Sequence, residues 1–140
     1  MENEPSWREK RREAAAAQAA ALEQRKAGET AKARELLAEF VQEMKARGIE
    51  PQPLRATVAG SGASYRTNVT GWYLRRNRTL GADADGNFYI LAVPATLKAR
   101  LLGVQLLPSD PPLIVGLGAR DGESMPLKDL LRLRLDETTA

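Results

Sequence analysis

Five arginines, Arg55, Arg66, Arg75, Arg76 and Arg78, fall between Leu54 and Ala82, a stretch with no Asp or Glu. A guanidinium group offers five N–H donors in a planar fork that matches phosphate oxygens two at a time. Tyr65, Trp72 and Tyr73 lie among the arginines and could stack on bases. Arg55, Arg66, Trp72, Arg75, Arg76 and Arg78 therefore form a candidate nucleic-acid site on an arginine-rich hairpin. The plainer account is that the arginines solubilise a turn and blunt a sheet edge, with Trp72 and Tyr73 divided between core and cover.

Other side chains with chemical reach are few. The 140-residue chain has no histidine and no cysteine. That excludes Ser-His-Asp and Cys-His nucleophile pairs, zinc fingers, haem or iron–sulfur ligation through those side chains, and disulfides. Asp83-Ala84-Asp85-Gly86-Asn87 spaces oxygen ligands like the start of a calcium loop, but Tyr89 to Val93 is apolar where further ligands belong. One hairpin turn explains all five residues. In Gly116-Leu117-Gly118 the third glycine, Gly122, comes one residue late for a dinucleotide fingerprint, so a turn is the simpler reading. Asp83, Asp85, Asp121 and Glu123 are acids outside the predicted helices that could pair in a cleft, the basis for a small carboxylate-dependent enzyme. No catalytic residue, metal ligand or cofactor site is assigned.

The net charge of +3 hides an uneven distribution. Residues 1–50 are balanced, residues 51–107 carry the whole basic excess, and residues 108–140 are slightly acidic. No apolar run approaches the roughly 20 residues of a membrane span. Arg11 to Leu22 imitates a signal peptide, but Gln18 interrupts the apolar run and Glu9 and Glu13 sit among its basic flank. The expected location is cytoplasmic, with no membrane partner.

The elements that must carry these residues begin with helix. Ser6-Trp7-Arg8-Glu9 is a capping box, predicting a helix over 7–26 that is nearly all charge and alanine. Gly28 should interrupt it, with Thr30 capping a second helix over 31–47; a single long bent helix is the alternative. Ala33, Leu36, Leu37, Phe40, Val41 and Met44 make one apolar stripe. Gly48 and Ile49 suit a Schellman ending, and Pro51 and Pro53 prevent continuation.

Strands are expected near 55–59, 64–69, 71–76, 79–83, 87–93, 101–106 and 112–117. A two-residue Asp85-Gly86 turn would set Leu80 opposite Leu91 and Ala82 opposite Tyr89. Val58, Val69, Leu74, Ile90, Leu91, Val93, Leu102, Val104, Leu106, Ile114 and Val115 are the predicted apolar face. A last helix starts at Ser124 and buries Leu127, Leu130 and Leu131.

These readings combine into an α+β protein: a helical arm over 1–50, then a small antiparallel sheet domain with a C-terminal helix over 51–140. The first helix has too few large apolar groups to gain much by folding back on a monomer. A non-catalytic interaction or accessory module is therefore expected, using its arm for a protein partner or self-association through Trp7, Leu22, Leu36, Phe40 and Met44. Nucleic-acid binding is the second reading and the carboxylate enzyme the third.

Overall fold

Helix α1 runs unbroken from Asn3 to Ala46. It opens a computed structural model that describes residues 3–116 and 124–138. The expected break at Gly28 is absent: one glycine costs a helix only about 1 kcal/mol relative to alanine, and the flanking Ala, Lys, Glu and Arg are good helix formers. Ser6 and Thr30 are interior residues of this helix, not caps.

The helix ends as its sequence predicts. Ile49 N–H donates to the Met44 carbonyl and Gly48 N–H to that of Lys45, both at 3.0 Å, with Gly48 at φ +73°. That is the Schellman pattern. From Ala33 onward Leu37, Phe40, Val41 and Met44 are buried. Over 6–29 every residue is exposed.

The sheet is built from β1 (Gln52–Val58), β2 (Ser64–Tyr73), β3 (Leu80–Asp83), β4 (Phe88–Ile90) and β5 (Ala92–Val93). Its order is β4-β3-β2-β1-β5, antiparallel except for the parallel β1–β5 pair. Only Leu91 separates β4 from β5, yet these strands occupy opposite edges. The sheet must therefore curl until its edges meet, which leaves few unpaired backbone groups. Leu54, Val69, Tyr73, Tyr89 and Leu91 cluster on one face of the curl. On the other, Trp72, Leu74, Leu80, Ala82 and Phe88 pack against α1 and α3 (Leu127–Glu137).

Several expectations shift. The runs 64–69 and 71–76 merge into one strand ending at Tyr73. Leu80 pairs with Ile90 and Ala82 with Phe88, a one-residue slip that flips side chains between faces and leaves Ile90 50% exposed. Residues 101–106 do not form a strand. Instead α2 (Leu97–Leu102) is capped by the Thr96 hydroxyl accepting from Ala99 N–H, and Leu102 is exposed. Ser124 begins a short strand, β7 (Ser124–Pro126), paired with β6 (Ile114–Gly116), and Ile114 is exposed. Val58, Val69, Leu74, Leu91 and Val115 are buried as expected, whereas Val93, Val104 and Leu106 are only partly covered. Leu127, Leu130 and Leu131 are buried on one face of α3.

At Gly71 β3 leaves no room for a side chain: a Cβ there would lie 1.9 Å from the Ala82 carbonyl oxygen, whereas nothing lies within 4 Å of one at Gly28. Gly71→Ala should cost about 1–3 kcal/mol, the range for overpacking. Gly28→Ala should leave the melting of the packed region unchanged while raising helicity. Thermal denaturation and circular dichroism on the two variants check both outcomes.

Candidate functional site

The six residues of the arginine-rich candidate do not form one patch. Arg55 and Arg66 lie at one end of β2, and Arg75, Arg76 and Arg78 lie in the turn beyond its other end. At that turn the Arg75 side chain donates to Thr79 Oγ1 at 2.9 Å and to the Gly116 carbonyl at 2.8 Å. Burial pulls its pKa down from the ordinary value, yet a guanidinium stays protonated at neutral pH. Arg76 pairs with Glu137 at 3.4 Å, and Arg78, at φ +60°, stands over the Tyr73 ring. Trp72 is 3% exposed and its indole N–H donates to the Ile49 carbonyl at 3.0 Å. A ring so placed cannot stack on a base; it fastens α1 to the sheet.

Arg55 and Arg66 have different surroundings. They are direct partners across the antiparallel β1–β2 pair, so their side chains leave the same face. Arg55 donates from Nε to Ser64 Oγ at 2.7 Å and from Nη2 to the Ser64 carbonyl at 2.9 Å. Arg66 Nη2 reaches the Leu101 carbonyl at 3.4 Å. A third cation, Arg100, comes from α2. That helix is tied to β2 at both ends, by Thr96 N–H donating to the Tyr65 hydroxyl at 3.2 Å and by Val104 N–H donating to the Arg66 carbonyl at 2.7 Å. Arg55, Arg66 and Arg100 line one cleft of about 490 Å³, together with Ser61, Ser64 and Tyr65. Among the described residues no carboxylate lines it. Arg100 was not singled out from the sequence, because nothing in its own segment marks it; the link is made by backbone bonds across the fold.

The acidic candidate resolves into turn architecture. Gly86 N–H donates to the Asp83 carbonyl at 3.0 Å and Asp83 N–H to the Asn87 carbonyl, closing a three-residue loop with Gly86 at φ +83°. The Asp83 carboxylate accepts from the backbone N–H groups of Asp85 and Asn87, the Asn87 amide and the Tyr89 hydroxyl, all within 3.0 Å. Partial burial pushes its pKa up, but those hydrogen bonds, led by the Asn87 amide, outweigh it and hold the carboxyl below its ordinary value. Burial and the bond to Asp83 raise the Tyr89 phenol. Asp83 therefore shapes the turn, and Asp85 is exposed beside it. Asp121, Glu123 and the glycine-rich stretch from Leu117 onward lie outside the described residues.

The arm candidates divide as well. Phe40 and Met44 are buried in the protein's own core, and Leu36 packs against it. Trp7 and Leu22 are exposed, at 57% and 60%, with the Arg11 guanidinium 3.8 Å from the Trp7 ring centre. Among the described residues no group of three or more acidic side chains could hold a metal ion, and no helix is long and apolar enough to cross a membrane. Comparisons with known proteins find no matching family model, no matching curated protein and no matching solved structure.

Asp83→Asn should destabilise the protein by about 1 kcal/mol at neutral pH, a charge-assisted bond discounted for solvent screening. Because the folded carboxyl has the lower pKa, its contribution is present above the unfolded value near 3.8 and fades as pH falls through the folded value. Urea titrations at neutral pH and below pH 4 should show the gap between parent and variant closing in acid.

Proposed function

We propose that the chain is a non-catalytic interaction module in which the exposed half of α1 pairs with the same segment of a second copy. One observation carries this reading: α1 continues through residues 6–29 without a buried residue, about 36 Å of helix at 1.5 Å per residue. In proteins most helical stability comes from packing, and isolated helices gain little from propensity alone. Trp7, Ala14, Ala21 and Gly28 recur at seven-residue intervals, the spacing that keeps one seam toward a partner helix. Run antiparallel, the seam sets Trp7 against Gly28 and Ala14 against Ala21.

Large then meets absent, and small meets small. Such pairing also gives Gly28 a purpose, since within one chain alanine would fit that position and favour helix. Alanines bury little area, so the association should be weak and concentration-dependent. A cysteine-free chain suits the cytoplasm, and that location is part of the proposal.

Sedimentation of the full chain at micromolar and higher concentrations should show a monomer–dimer equilibrium. Ala14→Glu combined with Ala21→Glu should abolish it while the helix remains, because glutamate is a good helix former. Deleting residues 1–27 should leave a folded monomer. A full chain that stays monomeric throughout, or a double variant that dimerises like the parent, contradicts the reading.

A further inference from the structure

The cleft holding Arg55, Arg66 and Arg100 carries a cost that the fold alone does not explain. Like charges placed directly opposite on paired strands are destabilising, and Arg55 and Arg66 are direct partners. Arg100 adds a third positive group to the same cleft. Among the described residues none of the three takes part in an ion pair, although Arg34, Arg47, Arg76 and Arg134 all do. Arg75, Arg76 and Arg134 are each anchored to a carbonyl or a carboxylate; the three cleft arginines keep donors to spare.

Arg55 is held by its Nε and one Nη on Ser64, which fixes the plane of the guanidinium and leaves further N–H groups unengaged. Arg66 spends one long contact on the Leu101 carbonyl. Among the described residues no side-chain hydrogen bond occupies Arg100, which is exposed on α2. Ser61 and Ser64 add hydroxyls at the wall. The bonds from Thr96 N–H to the Tyr65 hydroxyl and from Val104 N–H to the Arg66 carbonyl keep the backbones that carry these three cations in register.

We infer that this cleft binds a multiply charged phosphate group. Planar guanidinium forks pair with phosphate oxygens in bidentate fashion, and such charge-assisted bonds are the strong ones. The volume of about 490 Å³ admits more than a single phosphate, and three positive charges suit a diphosphate or two adjacent backbone phosphates. Tyr65 is buried and its hydroxyl is engaged by Thr96, so no aromatic face is offered to a base. Recognition therefore rests on the phosphate itself. Its source is either a free di- or polyphosphate or the backbone of a single-stranded polynucleotide. The site is independent of the arm, since its residues come from β1, β2 and α2.

The test uses the full chain, titrated by calorimetry at low ionic strength with sodium pyrophosphate and, separately, with a short single-stranded oligothymidylate. Sodium chloride at matched ionic strength is the control. Binding beyond the chloride control is expected for at least one probe, weakened at least about tenfold by Arg66→Gln and by Arg100→Ala, the loss expected for a charged hydrogen bond. Arg78→Ala, at the far turn, should bind like the parent. In anion-free buffer Arg100→Ala should melt no lower than the parent, because it removes repulsion; a purely structural arginine would lower the melting temperature.

Pyrophosphate binding alone points to a free phosphate ligand, and oligothymidylate binding with the same variant dependence points to a polynucleotide backbone. Failure of both probes to bind overturns the inference. So does binding that is indifferent to both Arg66→Gln and Arg100→Ala.

Discussion

Trp72 sits where helix, sheet and the chain between them meet, and most of the architecture depends on how it is held. Its ring is buried against the α1 stripe, and its indole N–H donates to the carbonyl of Ile49. Ile49 is the residue that closes the Schellman ending of α1. One hydrogen bond thus fixes the point at which the helix stops and the angle at which the chain enters β1. An unmatched carbonyl at that depth would cost about 1–3 kcal/mol, so the bond is a constraint more than a bonus. Pro51 and Pro53 keep the entry extended, and Gln52 then pairs with Gly71, the neighbour of Trp72. Arg47 and Arg134 brace the same corner, donating to the carbonyls of Leu135 and Tyr73.

From that corner the two functional regions extend in different directions. Toward its N-terminus α1 leaves the core after Ala33, and its remaining turns carry charge and alanine with nothing of the described chain burying them. Along β2 the curl of the sheet brings β5 beside β1, and the chain then runs through Thr96 into α2. Thr96 N–H on the Tyr65 hydroxyl and Val104 N–H on the Arg66 carbonyl return α2 to β2. Gly103, at φ +80°, sits so close that a Cβ would lie 3.1 Å from the Arg66 carbonyl oxygen. The arginine cleft follows from this closure.

Local signals were legible where one short segment holds all the information. The ending at Gly48-Ile49, the α1 stripe from Ala33 to Met44 and the leucine face of α3 all belong to that kind. The hairpin at Asp85-Gly86 was visible, but its register was not. Asp-Gly alone favours a two-residue turn, whereas the Asp83 carboxylate gathers Asp85, Asn87 and Tyr89 around a three-residue loop. Residues 101–106 are apolar enough for a strand, yet the Thr96 cap starts a helix that takes in Leu101 and Leu102. Gly28 looked like a breaker because propensity penalises it, although about 1 kcal/mol is too little to break so long a helix. Of the arginine candidate, Arg55 and Arg66 could be picked out by composition. Their separation from Arg75, Arg76 and Arg78, and the arrival of Arg100, depend on strand length and on bonds between distant segments, which no local pattern encodes.

The pairing of arms is the central functional claim, and the absence of native cysteine makes it directly testable. An antiparallel seam places residue 14 of one copy beside residue 21 of the other, whereas two residues 14 stand about 10 Å apart along the axis, beyond disulfide reach. Chains carrying Ala14→Cys and Ala21→Cys would be oxidised separately and as an equal mixture, then resolved without reductant. A strong cross-linked dimer is expected in the mixture and little in either variant alone. Efficient cross-linking of Ala14→Cys with itself, or no enrichment on mixing, would contradict it.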